Sequence, residues 1–99
     1  MGLISDLRSR KETIEQGKLL ARQFGQRLTK ERIADAKRVA TEFDVLAGNA
    51  LGFQRRVNLG VLGTSSLVNT FQWALVDEGY PKEFAQEIGN QLAVKLAAD

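Results

Sequence analysis

Apolar residues recur at helical intervals along most of this chain, and that periodicity leaves room for little besides α-helix. Leu7, Ile14, Ala21 and Leu28 stand seven residues apart, with Leu3 and Phe24 on the same side. At about 100° per residue they fall within one stripe, the mark of an amphipathic helix expected over about Ser5 to Leu28. The alternate seam positions hold Arg10 and Gly17, so a free-standing coiled coil is not expected.

A second stripe follows after a shift in phase. Ile33, Ala36, Ala40, Phe43, Ala47 and Ala50 form a heptad seam built largely of alanine, with Phe43 as its bulky anchor. The five-residue step from Leu28 to Ile33 breaks the phase. Gly25 as the end of one helix and Thr29 as the N-cap of the next predict a turn near residues 25–29. One continuous helix with a stutter is the rival reading.

Gly48, Gly52, Gly60 and Gly63 punctuate the middle, and each lowers helix propensity by about 1 kcal/mol relative to alanine. Phe53, Val57, Leu59 and Val61 alternate there with a strand-like period. A lone strand would need a second copy of the chain to pair with. An irregular glycine-rich connection over residues 51–63 is therefore the expected reading.

Thr64, Ser65 and Ser66 are N-cap candidates for a helix ending at Glu78, with Leu67, Val68, Phe71, Ala74 and Leu75 facing inward. Gly79 closes it, and Pro81 opens a last helix to about Ala98 that points Phe84, Ala85, Ile88, Leu92 and Leu96 one way. The whole predicts one all-α domain of three to four amphipathic helices. It divides into a basic helical half (1–50), a glycine-rich connection (51–63) and a C-terminal αα-hairpin (64–99).

Composition removes most chemistry. The chain has no cysteine and no histidine, so disulfides, thiol nucleophiles, conventional zinc sites and histidine-based triads are excluded. No acidic cluster has the spacing of a calcium or magnesium loop. Gly60 to Ser65 lacks the lysine and spacing of a phosphate loop. Neither an enzyme, a cofactor nor a metal is expected.

Residues 1–10 carry no apolar run with a cleavage site, so a cytoplasmic location is expected. Val57 to Val76 is 20 residues without a charge, the length of a membrane span, but it includes Asn58, Asn69, Gln72, Thr64, Ser65 and Ser66. A buried loop leading into a core helix is expected instead, and a membrane-associated subunit is the third reading.

Charge is split between the halves. Residues 1–56 hold 12 Lys/Arg against 7 Asp/Glu, whereas residues 57–99 hold 2 against 5. The sequence thus points to a non-catalytic interaction or assembly subunit, a homo-oligomer or part of a larger complex. Phe43, Ala47, Trp73 and Val76 are its candidate interface residues, and basic-to-acidic contact between copies would weaken with salt. The alternative partner is nucleic acid. Strand, helix, turn, helix is the element order of dimeric ribbon-helix-helix DNA-binding regulators, which would use Arg55, Arg56 and Asn58 to reach DNA.

Overall fold

The computed structural model describes residues 3–98, and side chains from Arg10 to Ala98. Four α-helices account for most of it: α1 (Leu3–Arg27), α2 (Ala36–Arg56), α3 (Val61–Asp77) and α4 (Lys82–Ala98), with a short 3-10 turn at Lys30–Arg32. No strand occurs among the described residues.

Each helix packs mainly on two others, so the order around the bundle is α1, α2, α4, α3. Consequently α2 lies across the core from α3. The glycines show how closely α1 and α3 approach. A Cβ added at Gly17 would sit 2.8 Å from Thr70 Cβ and 3.2 Å from the Leu67 carbonyl. One at Gly89 of α4 would meet the Gln72 side chain of α3.

The core joins all four helices. Leu20 and Phe24 of α1, Leu46 and Phe53 of α2, Leu67, Phe71 and Leu75 of α3, and Ile88, Leu92 and Leu96 of α4 are buried in one cluster. Phe24 and Phe71 meet edge to face at 6.0 Å, a favoured aromatic geometry. The inward faces expected for the last two helices are found as read, with Ala74 and Phe84 half-buried at their margins. The α3–α4 hairpin turns at Gly79, whose φ of +102° suits glycine alone among common residues.

Two parts of the first half differ from the sequence reading. The break between α1 and α2 spans residues 28–35, and Gly25 lies inside α1. Thr29 precedes the 3-10 turn without a side-chain cap bond, whereas Asp35 caps α2 by accepting from the Arg38 N–H at 3.1 Å. The α2 seam is also rotated. Ala36 and Ala40 are exposed, and the buried line runs through Glu42, Leu46, Ala47, Ala50 and Phe53. Val39, Leu46 and Phe53 form their own seven-residue repeat and bury more apolar area than a row of alanines, which decides the rotation. In α1, Phe24 and Ala21 are buried and Ile14 is half-buried; Leu28, just past its end, is buried too, while the Leu3 and Leu7 side chains lie outside the described residues.

The glycine-rich connection expected over residues 51–63 is shorter, spanning only residues 57–60, and the alternating residues 53–61 form no strand. α2 continues through Gly48 and Gly52 to Arg56, because Leu46, Ala50 and Phe53 bury enough surface to offset the glycine penalty. Val57 and Asn58 then turn, with Asn58 at a left-handed φ of 56°, and α3 begins at Val61. Gly60 is its N-cap without a side-chain bond, so Thr64, Ser65 and Ser66 fall inside the helix.

Polar contacts centred on Glu42 and on Tyr80 close the end of the bundle near the α1–α2 turn. Buried Glu42 receives Arg27 Nε at 2.5 Å and lies 3.6 Å from Arg38 Nε. Arg38 Nη2 also donates to the Arg27 carbonyl at 3.1 Å, satisfying a terminal acceptor of α1. Nearby, the Tyr80 hydroxyl donates to the Leu28 carbonyl, and its ring stacks on Phe84 at 5.8 Å. Burial pushes the Tyr80 phenol above its ordinary pKa, and the carboxylates of Glu78 and Glu31 add to the rise.

Candidate interface

α3 carries no formal charge before Asp77, yet one side of it faces solvent. Its inner side is occupied by Leu67, Val68, Phe71 and Leu75. Outward lie Leu62, Asn69 and Trp73, spaced so that they share one side of the helix. Leu62 is 87% exposed, Val61 83% and Trp73 53%, while Val94 on α4 is 70% exposed. Single exposed apolar residues are ordinary, but these four belong to the same helix pair.

Beside Val61 is a hollow of about 380 Å³ between the first turns of α3 and the last turns of α4. It exists because its walls are small: Gly60, Thr64, Ser65, Ala93 and Ala97 line it, together with Val68. Gln54 of α2 contributes to its floor, donating from Nε2 to Thr64 Oγ1 at 3.1 Å and to the Leu96 carbonyl at 3.4 Å. No charged side chain lines it. At the other end of the face, Lys82 Nζ sits 6.0 Å from the centre of the Trp73 ring.

The α1–α2 side of the bundle is different. A groove of about 420 Å³ there is lined by Leu19 and Phe53 but also by Glu12, Glu15, Lys18, Arg22 and Arg56. Residues 10–56 hold eleven Lys/Arg against six Asp/Glu. The α1–α2 groove is thus lined by charge, whereas the α3–α4 hollow is not.

The four interface candidates read from the sequence are not brought together. Trp73 is exposed and Val76 is half-buried against the core. Phe43 is also half-buried, and Ala47, at 3% exposure, has no surface left for a partner. Both belong to α2, across the core from α3. Arg55 and Arg56 are exposed on the last turn of α2, and Asn58 is exposed in the turn that follows. Arg56 lies over the Phe53 ring at 5.4 Å. The strand that would align these residues in a groove is replaced by helix and turn.

Val61 and Leu62 escaped the sequence reading. They fall in the stretch read as an irregular glycine-rich connection, where Val61 ends the strand-like alternation, and it is the helical start at Val61 that leaves both exposed. The uncharged run from 57 to 76 was the signal available for them. The chain could have neither zinc nor thiolate chemistry at this face, and no group of three or more acidic residues suited to a metal occurs among the described residues. No helix among the described residues is long and apolar enough to cross a membrane. Comparison with known proteins finds no matching family model, no matching curated protein and no matching solved structure.

Proposed function

We propose that this chain is a non-catalytic assembly subunit that works by burying its α3–α4 face against another protein surface, in a homo-oligomer or a larger complex. One observation carries this reading: Val61, Leu62, Trp73 and Val94 are held exposed on one helix pair that is uncharged along most of α3. Burying apolar area stabilises by about 25 cal/mol per Å², so such side chains favour association wherever a complementary surface is present. A small domain gains from this burial what its own core cannot supply.

The test is solution mass by light scattering as concentration rises, at low and at high salt, with Trp73 emission followed in parallel. Trp73 is the single tryptophan, so its emission reports this face alone. Mass growth with a blue shift supports the reading. A constant monomer mass with unshifted emission overturns its homo-oligomeric form. Mass growth that disappears at high salt instead moves the contact to the basic α1–α2 surface, because ionic strength of about 1 M shortens screening to about 3 Å.

A further inference from the structure

We propose that the end of the bundle formed by the α2–α3 turn is a peripheral docking surface for an anionic lipid bilayer. Val61 and Leu62 enter the bilayer interface, and Arg10, Lys11, Arg55 and Arg56 meet the headgroups. This goes beyond the assembly reading and does not depend on it, since Trp73 lies about three turns further along α3, beside Lys82.

The helix register gathers these residues at one end. α1 and α3 run in the same direction, with Gly17 against Leu67 and Thr70 and Gly25 against Glu78, so the first turn of α3 is level with Arg10 and Lys11. α2 runs the other way and brings Arg56 to the groove that Glu12 and Glu15 also line. Gln54 ties the last turn of α2 to Thr64 of α3 and to the Leu96 carbonyl of α4, next to Lys95. Val57 and Leu59 pack against the core beneath the turn, whereas Val61 and Leu62 project from it at 83% and 87% exposure.

Charge selects the partner. Among the described side chains at this end, Arg10, Lys11, Arg55, Arg56 and Lys95 are exposed against Glu12, and Glu15 and Lys18 offset each other further in. No carboxylate occurs from Val45 to Val76. The opposite end is mixed: Arg27 and Arg38 are committed to Glu42, and Glu31, Asp77, Glu78 and Glu83 stand among its other cations. The basic end therefore attracts an anionic surface and orients the bundle on it.

The apolar pair separates lipid from other anions. The phosphates of a nucleic acid offer Val61 and Leu62 nothing to bury against. A specific protein contact needs about 1,000 Å² of shaped surface, whereas a bilayer accepts two projecting side chains without shape complementarity. Insertion is shallow. Gly60 caps α3 without a side-chain bond, so the first N–H groups of the helix must stay with water and headgroups.

The test is sedimentation of the full chain with vesicles of phosphatidylcholine, alone or mixed with phosphatidylserine, beside a titration with duplex DNA. Binding to the mixed vesicles is expected, at least about 10-fold tighter than to the neutral ones and weakened by salt. Leu62→Ser should weaken it by at least about 10-fold, and Arg55→Gln and Arg56→Gln by about 5-fold each. Lys37→Gln at the opposite end should change it by less than about 2-fold. These residues are exposed, and helicity checks that each variant folds. In a Trp73→Phe chain, the Leu62→Trp reporter should shift its emission to the blue when mixed vesicles are added. Absence of vesicle binding overturns the proposal and leaves the assembly reading standing. Vesicle binding that Leu62→Ser does not weaken, with unshifted reporter emission, is adsorption by charge alone and overturns insertion. DNA binding without vesicle binding makes the basic end a nucleic-acid surface instead. A light-scattering mass that falls in Leu62→Ser while vesicles stay unbound gives the end to a protein contact, and overturns the lipid as its partner.

Discussion

Arg27 Nε donates to Glu42 Oε1 at 2.5 Å, tying the last turn of α1 to the second turn of α2 through a carboxylate that is 4% exposed. Arg27 itself is half in solvent, so the pair is asymmetric: one member has lost its water and the other has kept much of it. Removing Arg27 leaves the buried carboxylate with Arg38 at 3.6 Å as its remaining cation. Arg27→Ala should therefore cost about 2 kcal/mol, more than Glu42→Gln at about 1 kcal/mol, which keeps an acceptor and removes the buried charge. Urea midpoints of the two variants check the order; a larger loss in Glu42→Gln would mean the charge itself holds the turn.

Tyr80 fastens the same end from the other side, and its titration predicts an alkaline transition. The folded phenol has a pKa above the ordinary 10.0, chiefly through burial, so the folded state holds its proton more tightly than the unfolded state. Stability from this group is complete below pH 10 and is lost as pH rises through the raised folded value. Tyr80 is the single tyrosine, so near-ultraviolet absorbance follows its ionisation without interference. Tyr80→Phe should lose about 1–2 kcal/mol at neutral pH by leaving the Leu28 carbonyl without its donor, and should lack this alkaline component. Equal steepness of stability against pH in both proteins above pH 10 would refute the assignment.

The helical glycines divide into two classes with opposite predicted signs. Gly17 faces Thr70 and the Leu67 carbonyl across the α1–α3 contact, so Gly17→Ala must push two helices apart and should destabilise by about 1–3 kcal/mol. Gly48 and Gly52 have nothing within 4 Å of an added Cβ, so alanine at either should stabilise by up to about 1 kcal/mol. Thermal denaturation of the three variants decides the matter.

Periodicity made much of this fold legible before any coordinates. The α3–α4 hairpin was readable because Leu67, Phe71 and Leu75 and then Ile88, Leu92 and Leu96 repeat at helical spacing on either side of Gly79. The phase of α2 was not, because a row of alanines and the Val39, Leu46 and Phe53 row satisfy the same heptad, and only packing against the other helices chooses between them. Glu42 shows the same limit: a carboxylate among apolar neighbours looks like a surface residue until Arg27 and Arg38 arrive from outside the seam. At the candidate site Trp73 was visible in the sequence, whereas Leu62 depended on where α3 begins. Its exposure follows from Gly60, not from any N-cap side chain, setting that start.

Phe71 and Trp73 stand two residues apart on α3 and separate the requirement of folding from that of the proposed association. Phe71 is fully buried and touches Phe24, whereas Trp73 is 53% exposed and touches Lys82. Phe71→Ala should cost about 3–5 kcal/mol, the range for a buried aromatic that leaves a cavity. Trp73→Ala removes a side chain with half its surface already in water, so its expected cost to the isolated chain is under about 1 kcal/mol. If the chain self-associates as proposed, the reverse holds: Trp73→Ala should lower the mass measured by light scattering while urea unfolding stays near that of the parent. If Trp73→Ala instead unfolds the chain as Phe71→Ala does, Trp73 belongs to the core and its exposed ring has no part in assembly.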